Sequence, residues 1–219
     1  MTSACRARHA ADIAHRLRIT AFVTLPGEAM SLPTAADRAA LGLVPLPADV
    51  EAILVEERAP PRLVAHLTLV HDVSRRVLAK ATKAWPKLPV DVDAVAFGAA
   101  THDIGKARFP AELSGPGSQH EAEGERLLLA RGVSVGRARF ARTHGGERAS
   151  LDVEELFVVV ADTVWKGKRD KGLDDALVAA IARTTAQPTW QVFMTVDQIL
   201  EHLARDADER LAWQARFPV

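Results

Sequence analysis

From residue 48 onward the apolar residues of this chain recur every three or four positions, and proline or glycine punctuates each run. That spacing is the period of a helix with one buried face. Strict apolar–polar alternation, the mark of a half-buried strand, is nearly absent, so the chain is expected to be all-α. Positions 48 to 58, ADVEAILVEER, predict a short amphipathic helix stopped by Pro60 and Pro61. Residues 62 to 84 predict a long one with His66, Leu69, Val70, Val73 and Val77 on one stripe, ended by Pro86 and Pro89. Residues 91 to 103 follow, with Val92, Val95, Ala96, Ala99 and His102 on a shared face. After the loop SGPGS, Ser118 and Glu121 form a capping-box signature for a helix over 119 to 131, and Gly132 is its stop. Ser134 is placed to cap the next helix, which ends at His144-Gly145-Gly146. Asp152 and Glu155 repeat the capping pattern ahead of LFVVVADTVWK. The valine run there would alone read as a strand, but its caps and length favour a buried helix. Two more helices are expected over 173 to 186 and 190 to 206, the last with Trp190, Phe193, Met194, Ile199, Leu200 and Leu203 as its core stripe.

A chain of 219 residues, 48% of them hydrophobic, suits one globular domain with appendages. Residues 1–46, which mix an Arg/His/Ala segment with Pro26, Gly27, Pro33 and Pro45, read as a loosely packed N-terminal extension in which Met30 is a candidate start. Residues 47–170 read as the helical core, and 171–219 as C-terminal helices packing on it. The formal net charge is zero, so there is no basic field of the kind a dedicated nucleic-acid binder carries. Cys5 is the single cysteine, which excludes an internal disulfide and a cysteine-based zinc site and fits a reducing cytoplasm. No apolar run approaches the ~18 residues of a membrane helix. The segment RLRITAFVTLPGEAMS is too short and too interrupted by threonine for a signal peptide.

The chemistry is concentrated where polar residues fall on apolar faces. His66 lies on the inward stripe of its helix. His71, five residues on, is rotated by ~140° and is expected to point outward near Arg75. His102 shares an apolar face and has Asp103 beside it. Asp162 lies inside a strongly hydrophobic helix, where an ionised carboxylate without a partner is costly. A metal ion removes that cost. His66, His102, Asp103 and Asp162 come from three helices and can converge in a bundle core, as ligands do in helical metalloproteins. Neutral imidazole with carboxylate suits Fe, Mn, Co, Ni or Zn. With His120 and His144, six ligands would hold two such ions. His9, His15, His71 and His202 read as surface or structural, and Glu121, Glu123 and Glu125 as a solvated face.

The order His66, then His102-Asp103, then Asp162 on consecutive helices resembles the HD superfamily of metal-dependent phosphohydrolases. HDIGK is close to a signature of that family, HLTLVHDV looks like its first-histidine helix, and FVVVADTV looks like its final-aspartate helix. The resemblance covers about residues 62 to 169. His120, in HEAEG, and His144, in RTHGGE, fall where the dinuclear branch places its extra histidines. Within the superfamily the spacing looks most like the HD-type diadenosine tetraphosphate hydrolases. The HH-E and G-Y-P segment of the HD-GYP cyclic-dinucleotide phosphodiesterases is missing.

The resemblance implies one or two divalent transition metals and hydrolysis of a phosphoester or phosphoanhydride bond in a small nucleotide-like substrate by a metal-activated water. It makes Asp103 the bridging ligand. Lys106 would act in catalysis by offsetting phosphoryl charge, and Lys166, Lys168 and Arg169 would hold a distal phosphate. Two other readings use the same residues. A mixed-valent di-iron HD oxygenase has the same six ligands, although phosphonate-cleaving members bring a tyrosine near the iron and this chain has none. A non-catalytic HD module would bind a nucleotide without turnover, and the complete ligand set argues against such decay.

Overall fold

The structure, a computed structural model, describes residues 31–145 and 150–219. Cys5, His9, His15, Met30 and Gly146 lie outside the described residues. The elements in chain order are α1 (Ala35–Ala40), α2 (Ala48–Glu56), α3 (Pro61–Ala84), α4 (Val92–Thr101), two 3-10 turns (Ile104–Ala107 and Pro110–Leu113), α5 (Gln119–Ala130), α6 (Val135–Thr143), α7 (Val153–Val164), α8 (Lys171–Thr185), α9 (Thr189–Ala204) and α10 (Ala207–Ala215). Among the described residues there is no strand, and the fold is an all-α bundle.

Helix α3 is the axis of the bundle. Pro61 occupies its first turn, where a missing N–H costs nothing, and α4, α7, α9 and α10 all pack against it. Two hydrophobic clusters flank it. The larger joins its second half to α4 and to α6 through α9. The smaller joins its first half to α2, Ile104, α5 and α6. Asp152 and Glu155 form the expected capping box, so Val158–Val160 is helix.

Four expectations are corrected. His71 is buried, because residues 43–47 fold over that face of α3, where the Val44 N–H donates to Asp72 Oδ1 at 2.9 Å. Those residues therefore do not belong to a loose extension. Leu43 and Leu46 are buried, and Trp213 Nε1 donates to the Asp37 carbonyl at 3.2 Å. Ser118 makes no side-chain cap on α5; the Glu112 carboxylate accepts the Gln119 and His120 N–H groups instead, both at 3.2 Å. Trp190, Phe193 and Met194 are exposed, and the buried stripe of α9 is Val192, Val196, Leu200 and Leu203. That stripe has the same helical period, and its smaller side chains fit against α3 and α8.

Candidate metal centre

Three helices end at one point. His102 is the C-cap residue of α4, His144 that of α6, and Asp162 lies in the last turn of α7. Each helix C-terminus carries a partial negative charge, which favours a cation there. His66 comes from the first half of α3 and His120 from the first turn of α5. Asp103 follows His102 at the start of the first 3-10 turn.

The six side chains form two groups that share Asp103. Its Oδ2 lies 3.1 Å from His66 Nε2 and 3.7 Å from His102 Nε2, and those two nitrogens are 3.3 Å apart. Asp162 Oδ1 joins this group at 3.4 Å from His66 Nε2 and 3.8 Å from His102 Nε2. On the other side, Asp103 Oδ1 lies 3.2 Å from His120 Nε2 and 3.1 Å from His144 Nε2, with 3.1 Å between the nitrogens. Ligands held at about 2.0–2.2 Å from one ion sit roughly 3–3.6 Å from each other, which is close to this spacing.

The donor set fits divalent ions in further respects. His102 Nδ1 is 3.0 Å from the Ala99 carbonyl and His144 Nδ1 is 3.0 Å from the Ala141 carbonyl. A proton on each Nδ1 is thereby fixed, and the Nε2 lone pairs turn inward. Asp103 Oδ1 is buried with no hydrogen bond pointed at it. Glu112 Oε2 accepts a hydrogen bond from His120 Nδ1, giving that imidazole the same orientation. Burial alone would raise the Asp103 pKa, but charge on His102 and the nearby His120, His144 and His66 nitrogens hold it well below the usual carboxylate range. Asp162 is likewise held low against burial by His102, His66 and Lys166. Burial opposes charge on His120, yet Asp103 and Glu112 raise its pKa. Anionic carboxylates are what a cation requires, and binding one would displace the proton that Asp103 and Glu112 favour on His120.

A cavity of about 220 Å³ opens onto His66, Asp103 and Asp162. Lys106 lines it, with Nζ 2.6 Å from Asp103 Oδ2, and so does Lys166, with Nζ 3.5 Å from Asp162 Oδ2. Lys168 is exposed and is not in its wall, and Arg169 is tied to Asp174 and Asp197 at 2.8 and 3.0 Å. Gly167, at φ 72°, turns the chain away after Lys166 and ends the shared face. Glu125 pairs with Arg142 at 3.1 Å, on the surface.

Four residues of the site were not expected. Arg62, one turn before His66, lines the cavity, and its Nε donates to the Phe217 carbonyl at 2.6 Å. Trp165 packs its ring edge-on against His66, and its Nε1 donates to Asp162 Oδ1 at 3.2 Å. Both fall on the face of a predicted ligand, at i−4 and i+3, a signal available in the sequence. Glu112, in the short turn before α5, and Gln214, in α10, carried none.

Residues 70–164 match the family model of the HD domain. The match takes in His102, Asp103, His120, His144 and Asp162, begins just after His66, and spans somewhat under half of the chain. It supports the HD-domain superfamily, a helical fold whose members bind divalent metals and act generally as metal-dependent phosphohydrolases. No curated protein and no solved structure matches the chain.

Proposed function

We propose that this protein hydrolyses a phosphoester or phosphoanhydride bond of a small nucleotide-like substrate, using two divalent transition metals held by His66, His102, Asp103 and Asp162 and by Asp103, His120 and His144. The observation that carries the reading is one cavity that combines the shared carboxylate with three cationic side chains, Arg62, Lys106 and Lys166. Ions bound there would lower the pKa of a coordinated water toward ~7 and would polarise phosphoryl oxygens.

The chain's own residues supply positioning and charge. The Lys106 ammonium holds Asp103 Oδ2 and stands beside the place where phosphoryl charge would develop, a role that offsets that charge. Trp165 fixes the Asp162 carboxylate by its indole N–H and shields His66 from water on one side. Arg62 and Lys166 face the same cavity and are suited to non-bridging phosphate oxygens.

Metal analysis of anaerobically purified protein, followed by a nucleotide panel that includes diadenosine tetraphosphate with Mn, Fe or Co, tests this. Release of phosphate or nucleotide that His102→Ala abolishes is the expected result. A protein that takes up no divalent ion, or activity indifferent to His102→Ala, overturns it.

A further inference from the structure

Helix α3 also serves a second cavity. Five residues past His66 the helix has turned by ~140°, so His71 and, one turn on, Arg75 face away from the metal cluster. Both line a cavity of about 390 Å³ whose walls include Phe97 and Arg137.

One buried polar atom of its wall has no partner within the fold. His71 is 2% exposed, and its Nδ1 is buried with no hydrogen-bond partner, a state that calls for a water or a ligand. Burial and the Arg75 charge outweigh Asp72 and the Val44 backbone and push the imidazole down to about 4, so the ring is neutral near pH 7 and can donate or accept at Nδ1. Arg75 and Arg137 make no ion pair among the described residues. Their neighbours Arg76 and Arg139, on the same two helices, are paired with Asp72 and with Asp152 and Glu154. Arg137 lays its guanidinium over the Phe97 ring, 5.3 Å from the centroid, which orients the group without using its N–H donors.

We propose that this cavity is a second ligand site, which takes a small molecule by its phosphate or carboxylate group between Arg75 and Arg137, with His71 as a hydrogen-bond partner. Asp49 and Asp93 share the lining, so the favoured ligand carries hydrogen-bond donors besides its oxyanion, as a nucleoside monophosphate does. The volume suits a molecule of that size and the planar guanidinium over Phe97 suits a ring. This site does not depend on the activity proposed for the metal centre. Helix α3 carries both His66 and His71, and α4 carries Phe97 ahead of His102.

Calorimetric titration of the full chain with AMP, inorganic phosphate and adenosine tests the site. AMP is expected to bind saturably, and adenosine and phosphate at least tenfold more weakly. Arg75→Ala, at an exposed position that leaves the fold intact, and Arg137→Ala should each weaken AMP at least tenfold, while Arg183→Ala, an exposed arginine in the wall of neither cavity, leaves that affinity unchanged. Absence of saturable AMP binding at millimolar concentration, phosphate binding as well as AMP, or sensitivity to Arg183→Ala with none to Arg75→Ala overturns the proposal.

Discussion

Glu112 grips His120 twice: its Oε2 accepts from the imidazole Nδ1 and, at 3.2 Å, from the His120 backbone N–H. The carboxylate thus starts helix α5 with both oxygens, Oε1 accepting from the Gln119 N–H, and aims the Nε2 of its histidine with Oε2. Partners that orient a ligand in this way typically contribute 10–100-fold to metal affinity. Glu112→Gln keeps the size and loses the charge, so it should weaken metal binding at the His120–His144 group by about that factor. Titration with Mn²⁺ reads it, and unchanged affinity there would remove Glu112 from the site.

Asp103 belongs to both groups, with Oδ2 toward His66 and His102 and Oδ1 toward His120 and His144. Substitutions should therefore differ in stoichiometry. His144→Ala should leave protein with one ion of two, while Asp103→Ala should deplete both. Elemental analysis after gel filtration decides; equal loss in the two variants would mean that the groups are not independent and that Asp103 is not the shared ligand.

His71 should write its burial into the pH dependence of stability. Its folded pKa is pushed down to about 4 from 6.5, by burial first and then by Arg75. Between those values the unfolded chain binds a proton that the folded chain refuses, so stability rises with pH across that window and is lost as pH falls through it. At 1.36 kcal/mol per unit the loss from neutral pH to about 4 is on the order of 3 kcal/mol. The depressed Asp103 and Asp162 act below their ordinary value of 3.8, while Asp174, raised above 3.8, and His120, raised above 6.5, act with the opposite sign at the two ends of the window. Urea unfolding from pH 4.5 to 7 should give a slope that His71→Phe flattens; an undiminished slope in that variant would refute the assignment.

The helices were legible because periodicity and capping are local. Pro61, Gly132 and the Asp152–Glu155 box bound their elements within a residue or two of expectation, and the period alone put His66, His102 and Asp162 on inward faces. What covers a face is not local. His71 is buried by residues 43–47, nearly thirty positions away, and no pattern around His71 announces them. The two stripes of α9 have the same period, and only the neighbouring helices choose Val192 and Val196 over Trp190 and Phe193. Gln214 and the carbonyls that hold Arg62 come from the opposite end of the chain. Lys168 and Arg169 follow Gly167, where the backbone turns and the helical face stops.

The glycine of HDIGK has a physical role of its own. The first 3-10 turn packs on α5, and a Cβ placed on Gly105 would lie 2.0 Å from the His120 carbonyl oxygen and 2.7 Å from the Gly124 nitrogen. Both are backbone atoms, which cannot rotate aside, so a methyl group there must push the turn and the helix apart. The turn begins at Asp103 and the helix carries His120, whose facing atoms are 3.2 Å apart. Gly105→Ala should therefore cost stability, about 1–3 kcal/mol as overpacking generally does, and should also loosen the second metal group. Urea unfolding of metal-free protein measures the first effect and Mn²⁺ stoichiometry the second. If the variant folds as stably as the parent and still holds two ions, the close approach of turn and helix is not what brings Asp103 to His120.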